Sequence, residues 1–316
     1  MIYSVRHITT LRYDPAVRES VMEVRLQPRM ESRQRCLSFH LDVDPPANIM
    51  QYRDFLGNTV HHFDIAASHR EIRVRAQAVV DVQAAPAPQA SEAGNWTDLD
   101  ALIASDDHWE MMQPSHFARP TELLEVLLQE LGCERRGNPL QLLVEMNRAI
   151  YQAFAYVPQS TTVDSPIDHA LRTRQGVCQD FAHIMTALVR RLRIPCRYVS
   201  GYLFHEAQNA DRSLEGATHA WVEALVPRLG WIGFDPTNNL VVGDRHIRVA
   251  IGRDYADVPP TRGVYKGETQ SELSVIVTVS QSETPPPEEV GPSLVIRSRP
   301  SIAPRNFQME QEQQQQ

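Results

Sequence analysis

The chain has 316 residues, 42% of them hydrophobic, and carries 31 Lys and Arg against 39 Asp and Glu, a formal net charge of -8. This length can bury a sizeable core and suits two domains, or one large domain with an appendage. The acidic balance argues against a nucleic-acid or anionic-membrane surface. No window approaches the ~20 apolar residues of a membrane span, and Met1-Ile2-Tyr3-Ser4-Val5-Arg6-His7 has no apolar leader core. Four cysteines, Cys36, Cys133, Cys178 and Cys196, show neither CxxC nor metal-finger spacing. A reducing cytoplasm is therefore the expected compartment.

Residues 1–83 read as strands. Ile72, Val74, Ala76, Ala78, Val80 and Val82 alternate with Arg73, Arg75 and Gln77, the pattern of a half-buried strand. Gly57-Asn58 separates two further strand-like runs and signals a hairpin. His61 and His62 point to opposite faces of such a strand, which suits surface histidines better than a metal pair. The region is expected to be a small β-sandwich-like module without chemistry of its own. Residues 84–95 form a Pro- and Ala-rich linker.

Helical patterns follow. One covers residues 121–131 and stops at Gly132; a second has Asn138 as N-cap and Pro139 at its first position. A loop from Tyr156 to Val163, with Tyr156 a possible lining residue, leads to a short helix near residues 167–173. The next helix begins at Cys178. Phe181, Met185, Leu188, Val189 and Leu192 form one apolar stripe on it, Arg190, Arg191 and Arg193 suit its negative end, and Pro195 terminates it.

Cys178 therefore sits at a helix N-terminus, among unpaired N–H groups and partial positive charge that favour thiolate over thiol. The same N–H groups suit an oxyanion forming on a substrate held by the sulfur. A lone cysteine on an apolar helix is more often simply packed, so the functional reading needs a base and an orienting carboxylate elsewhere in the chain.

Both are present. After a strand at residues 196–203 and an irregular polar loop containing His205, residues 218–226 read as a strand opening with His219. Residues 231–235 read as the next strand, ending in Asp235 before Pro236. Pairing through a short turn brings His219 and Asp235 close, provided the register is odd-looped or bulged. With a turn of residues 226–230, Asp235 falls opposite Trp221 and diagonal to His219, on the same face. His183 lies roughly 140° round the helix from Cys178 and is expected to be structural; His205 is expected to be solvated. A last strand over residues 273–279 precedes a Pro-, Glu- and Gln-rich tail, residues 281–316, whose composition is that of a disordered segment.

At Gly176-Val177-Cys178-Gln179-Asp180-Phe181-Ala182-His183, Arg197-Tyr198-Val199-Ser200-Gly201-Tyr202, His219-Ala220-Trp221-Val222-Glu223 and Phe234-Asp235-Pro236-Thr237, the chain resembles the bacterial transglutaminase-like superfamily of papain-type thiol enzymes. Val249-Ala250-Ile251-Gly252-Arg253-Asp254-Tyr255 extends the likeness to the subgroup with a β-rich N-terminal region. The resemblance implies an α+β fold in which helices carrying the nucleophile pack on an antiparallel sheet, preceded by the β-sandwich-like module. It implies a catalytic domain over residues 96–280, and Cys178, His219 and Asp235 as a catalytic triad.

The chemistry expected of that triad is attack of the thiolate on a carbonyl, protonation of the leaving amine by His219, and a thioester awaiting an acceptor. Water makes the enzyme a peptidase or amidase acting on a peptide or protein substrate; an amine makes it a transglutaminase. Hydrolysis is the expectation, because no residue pattern announces a dry amine channel. No cofactor is expected. A metal is not expected either, since spacing pairs no third ligand with Cys178 and His219. The reading from another class is a non-catalytic protein-binding module on the same fold.

Overall fold

The computed structural model describes residues 1–206, 208–281, 294–297 and 308–312. The first half of the chain holds β1 (Ile2–Val24), β2 (Gln34–Asp44), β3 (Met50–Arg53), β4 (Thr59–Ile65), β5 (His69–Val82), α1 (Trp96–Leu102), α2 (Glu122–Glu130) and α3 (Pro139–Ala153). Around the expected nucleophile come β6 (Ala155–Tyr156), α4 (Ile167–Thr173), β7 (Gln175–Gly176) and α5 (Cys178–Arg191). The remainder comprises β8 (Cys196–Leu203), β9 (His219–Val226), β10 (Gly230–Asp235), β11 (Leu240–Val241), β12 (His246–Gly252), β13 (Thr261–Lys266), β14 (Gln270–Ser280), β15 (Leu294–Arg297) and β16 (Gln308–Glu312). The fold is α+β, as expected, with the helix that begins at Cys178 packed on an antiparallel sheet.

β1 is long enough to serve two layers. Its residues 2–12 pair with β5 on one side and β14 on the other. Its residues 18–24 pair with β4 and β13, after a register break. Both layers enclose one apolar core that includes Tyr3, Val24, Phe63, Val74 and Val275. The N-terminal module is consequently not closed at residue 83, because β13 and β14 complete it from the far end of the chain. Sequence periodicity sees each strand but not its partner, so it assigned those two to the catalytic region. Most of the tail expected to be disordered lies outside the described residues; β15 and β16, within it, pair with β14 and β13.

A second sheet has the order β11-β10-β9-β8-β12. One of its faces meets the helices, where Tyr198, Ala220, Val222 and Phe234 join the core around α5. On the other, Val199, Trp221 and Ile251 pack with Leu56 of the N-terminal layers, and the sheet's Tyr202, Ile247 and Val249 also enter the core of those layers. A sheet covered on both faces has no solvent side, and every residue of β9 is buried.

The same enclosure explains α5. It is buried all round save Arg191, where its sequence suggested one apolar stripe. Most of its polar residues find partners, although the buried Thr186 hydroxyl has none among the described residues. Arg190 donates to the Arg253 and Met111 carbonyls and to Ser115 Oγ. His183 stacks between Phe117 and Tyr198, at 5.2 and 4.9 Å, and accepts from the Tyr255 N–H. His183 is structural, as expected. His61 is buried against Phe39, while His62 is half-exposed, so the expected alternation holds but only one of the two is a surface residue.

Candidate active site

The start of α5 is built to leave its amides free. The N-cap position is Val177, which offers no side-chain acceptor. Asp180 folds back instead, its Oδ2 accepting from the Val177 N–H at 2.8 Å and from Thr161 Oγ1 at 2.6 Å. A glycine is needed before them, since a Cβ at Gly176 would lie 2.8 Å from that of Asp180. The N–H groups of Cys178 and Gln179, in the first turn, have no acceptor within the helix. Burial pushes the Asp180 carboxyl up to about 6, against the pull of those two hydrogen bonds.

β9 and β10 bring the other two residues together. Pairing begins at Gly230 opposite Val226 and runs to Phe234 opposite Val222. The turn itself is Pro227-Arg228-Leu229, with Arg228 and Gly230 at φ of 67° and 79°. The turn is shorter than the five residues expected, but it is odd, and it yields the same register. Asp235 continues on the His219 face, and its Oδ2 lies 2.8 Å from His219 Nε2. The second ring nitrogen, Nδ1, is buried and makes no regular hydrogen bond among the described residues. It is the nitrogen left for the Cys178 thiol, which interacts with this imidazole.

Burial by itself would lower the His219 imidazolium, but the Asp235 charge and hydrogen bond, with the Cys178 sulfur, outweigh it and hold it up at about 10. Asp235 is the mirror case. Burial raises its carboxyl, and His219 and then His246 hold it far below the usual carboxylate range. The pair is thus a buried imidazolium beside a buried carboxylate, with the Cys178 sulfur among the groups that act on the imidazole.

Two partners escaped the sequence reading. Asn238 Nδ2 donates to Asp235 Oδ2 at 2.8 Å, and the backbone N–H groups of Thr237 and Asn238 reach Oδ1 at 3.0 and 3.2 Å. That local capture of the following amides was legible, because aspartate readily bonds the backbone two or three residues on. His246 was not. It lies on β12, two strands from β9, yet its Nε2 stands 3.3 Å from Asp235 Oδ2. The reach depends on Gly201 of the intervening β8, where a Cβ would strike the Trp221 ring at 2.6 Å. Trp221 lies over that glycine and meets the His246 ring edge-on at 5.2 Å. Burial lowers the His246 imidazolium despite Asp235, so it sits neutral and donates one N–H to the carboxylate.

His219, Asp235 and His246 each offer a ligand atom, all within 4.8 Å of one another. This trio leaves out Cys178, and strands far apart in the chain bring it together. A cation there would take the place of the 2.8 Å His219–Asp235 hydrogen bond. Tyr156 lines the approach. Its hydroxyl is buried, and burial followed by the nearby Cys178 charge pushes it up. His205 is partly buried rather than solvated, its Nδ1 3.4 Å from Asp211 in an ion cluster completed by Arg245.

Residues 3–81 match the Bacterial transglutaminase-like N-terminal region, and residues 132–236 match the Transglutaminase-like superfamily. An uncharacterised protein of Mycobacterium leprae is 33% identical over 279 residues, covering 88% of this chain and 98% of its own length. The Protein-glutamine gamma-glutamyltransferase of Pseudomonas aeruginosa is 36% identical over 135 residues, which is 41% of this chain and 20% of that protein. Among solved structures, a candidate cysteine protease from Cytophaga hutchinsonii shares the fold at a TM-score of 0.69 and 21% identity, covering 100% of this chain and 96% of that one. The class is that of a cysteine-dependent enzyme. This chain belongs to the transglutaminase-like superfamily and carries its bacterial N-terminal region.

Proposed function

We propose that the protein is a thiol-dependent hydrolase that cleaves a peptide-type amide, with Cys178, His219 and Asp235 as its triad. The observation that carries this reading is the buried His219–Asp235 contact of 2.8 Å, with the remaining imidazole nitrogen left to a thiol at a helix start. The Cys178 sulfur attacks the amide carbon, and the oxyanion forms beside the free N–H groups of the first turn. Collapse of that intermediate breaks the C–N bond, and His219 gives its proton to the departing amine. Water, deprotonated by the now neutral imidazole, then attacks the thioester. The acid is released and the thiol restored.

Acyl transfer to an amine passes through the same thioester, and the Pseudomonas relative named as a glutamyltransferase matches this part of the chain. Incubation with a peptide library, with and without a primary amine, separates the two outcomes. Free acid products support hydrolysis, and amine-adducted products that dominate at millimolar amine would replace it with transfer. Cys178→Ala is expected to abolish turnover with an unchanged melting temperature, while Cys36, Cys133 and Cys196 are replaceable. An active Cys178→Ala protein ends the reading. The cytoplasm remains the proposed location, because all four cysteines are free and a reducing compartment keeps the thiol usable.

A further inference from the structure

A cleft of about 710 Å³ lies against the parallel pair formed by β6 and β7. Its walls lead to the two halves of the candidate site. On one side, Arg174 and Gln175 run through Gly176 and Val177 into Cys178. On the other, the Arg212 N–H donates to Asn238 Oδ1 at 2.7 Å, and Asn238 Nδ2 donates to the Asp235 carboxylate. Tyr156 lies between them.

Two guanidinium groups line this cleft. Arg212 is held by backbone carbonyls, donating from Nη1 to Tyr151 at 2.7 Å and Phe154 at 3.3 Å, and lies 3.4 Å over the Tyr151 ring. These contacts fix its direction, and no carboxylate among the described residues forms an ion pair with it. Arg174 pairs through Nη2 with Glu130 and covers the Phe154 ring, while its Nη1 is buried without a hydrogen-bond partner among the described residues. Its backbone is left-handed, at φ 55°, where the preceding helix ends. With Arg174 shared with Glu130, Arg212 supplies the surplus positive charge of a cleft whose wall continues in sequence to Cys178, in a chain of net charge -8.

We propose that this cleft is a substrate subsite for a carboxylate close to the scissile amide, gripped by Arg212 with Arg174. The substrate class is then an acidic peptide, its carboxylate either an Asp or Glu side chain or a free chain end. A planar guanidinium held from behind by carbonyls presents its outer N–H pair to such a group in the forked geometry that carboxylates accept. The proposal rests on the reading of Cys178 as nucleophile.

Its test uses the full chain and two alkylating probes of similar size, anionic iodoacetate and neutral iodoacetamide. The rate ratio of iodoacetate to iodoacetamide at Cys178 is expected to exceed that of a free thiol by roughly tenfold, and to fall as salt is added. Arg212→Gln should lower the ratio severalfold, to what the His219 imidazolium alone sustains, and Arg212→Lys should keep much of it. Should Arg212→Gln fail to fold, Arg174→Gln serves, with the smaller loss expected of a guanidinium already shared with Glu130. Equal ratios in the wild type and the folded charge-loss variants overturn the subsite while leaving the nucleophile standing. Failure of both probes to label Cys178 instead overturns the nucleophile reading and the subsite with it. Peptide amides carrying Glu against Gln, and a free against an amidated C-terminus, then identify which carboxylate is read. A KM lowered by neither acid sinks the proposal.

Discussion

His219 is the residue whose environment has the most direct consequence. Its imidazolium is held at about 10, above the ordinary 6.5, so it stays charged across the neutral range. A group raised on folding contributes stability that is complete below about 6.5 and is lost as pH climbs towards about 10. Asp235 has the opposite sign, its contribution being lost only in strong acid. An NMR titration of the His219 ring should show a protonated imidazole well above neutrality, and Asp235→Asn should bring the midpoint down by removing the main raising charge. A ring that titrates near 6.5 in both proteins would show that the carboxylate does not govern it. His246 reaches the same oxygen of that carboxylate, at 3.3 Å. His246→Leu should lower kcat/KM by roughly tenfold and move the His219 titration, while His246→Gln, which keeps an N–H donor, should restore most of both. An unchanged titration in His246→Leu would reduce His246 to packing.

At the scale of the element, the β9–β10 hairpin decides whether His219 and Asp235 meet at all. Side chains alternate along a strand, so a one-residue slip sends Asp235 to the opposite face. One glycine inserted between Arg228 and Leu229 should therefore cost roughly a hundredfold or more in kcat/KM, because the imidazole loses its orienting partner. Two inserted glycines restore the parity of the turn and should retain much more activity. Equal activity in both insertions would mean that the ladder absorbs the extra residue as a bulge. Beside the hairpin, Glu223 of β9 is fully buried between Arg197 and Arg248, which hold its carboxyl in the charged form. The His219 face of β9 thus runs on into an ion cluster that ties β8, β9 and β12 together.

At the scale of the whole molecule, the N-terminal layers cover the sheet that carries the site. Asn58 bonds both the Ile251 carbonyl and its N–H, and Gln34 does the same at Arg248. All four contacts lie on β12, the strand that carries His246. Deletion of residues 1–83 would expose Tyr202, Ile247 and Val249 and strip β13 and β14 of β1. The shortened chain is expected to aggregate or to lose cooperative melting, measured by near-UV circular dichroism and thermal unfolding. A monomeric fragment that melts cooperatively would show that the site stands without its N-terminal cover.

The sequence determined the features whose causes are local. The cap at Asn138, the glycine stop at Gly132, the helix beginning at Cys178 and the turn before Gly230 all follow from neighbours a few residues apart. Strand parity extended that reach just far enough to put Asp235 on the His219 face. Tertiary structure decided whatever depends on strands far apart in the chain. It closed the N-terminal core with β13 and β14, buried α5 on every side, and carried His246 across Gly201 to Asp235. Periodicity records which face of an element is apolar, whereas the identity of the element that covers it is fixed only when the sheets assemble.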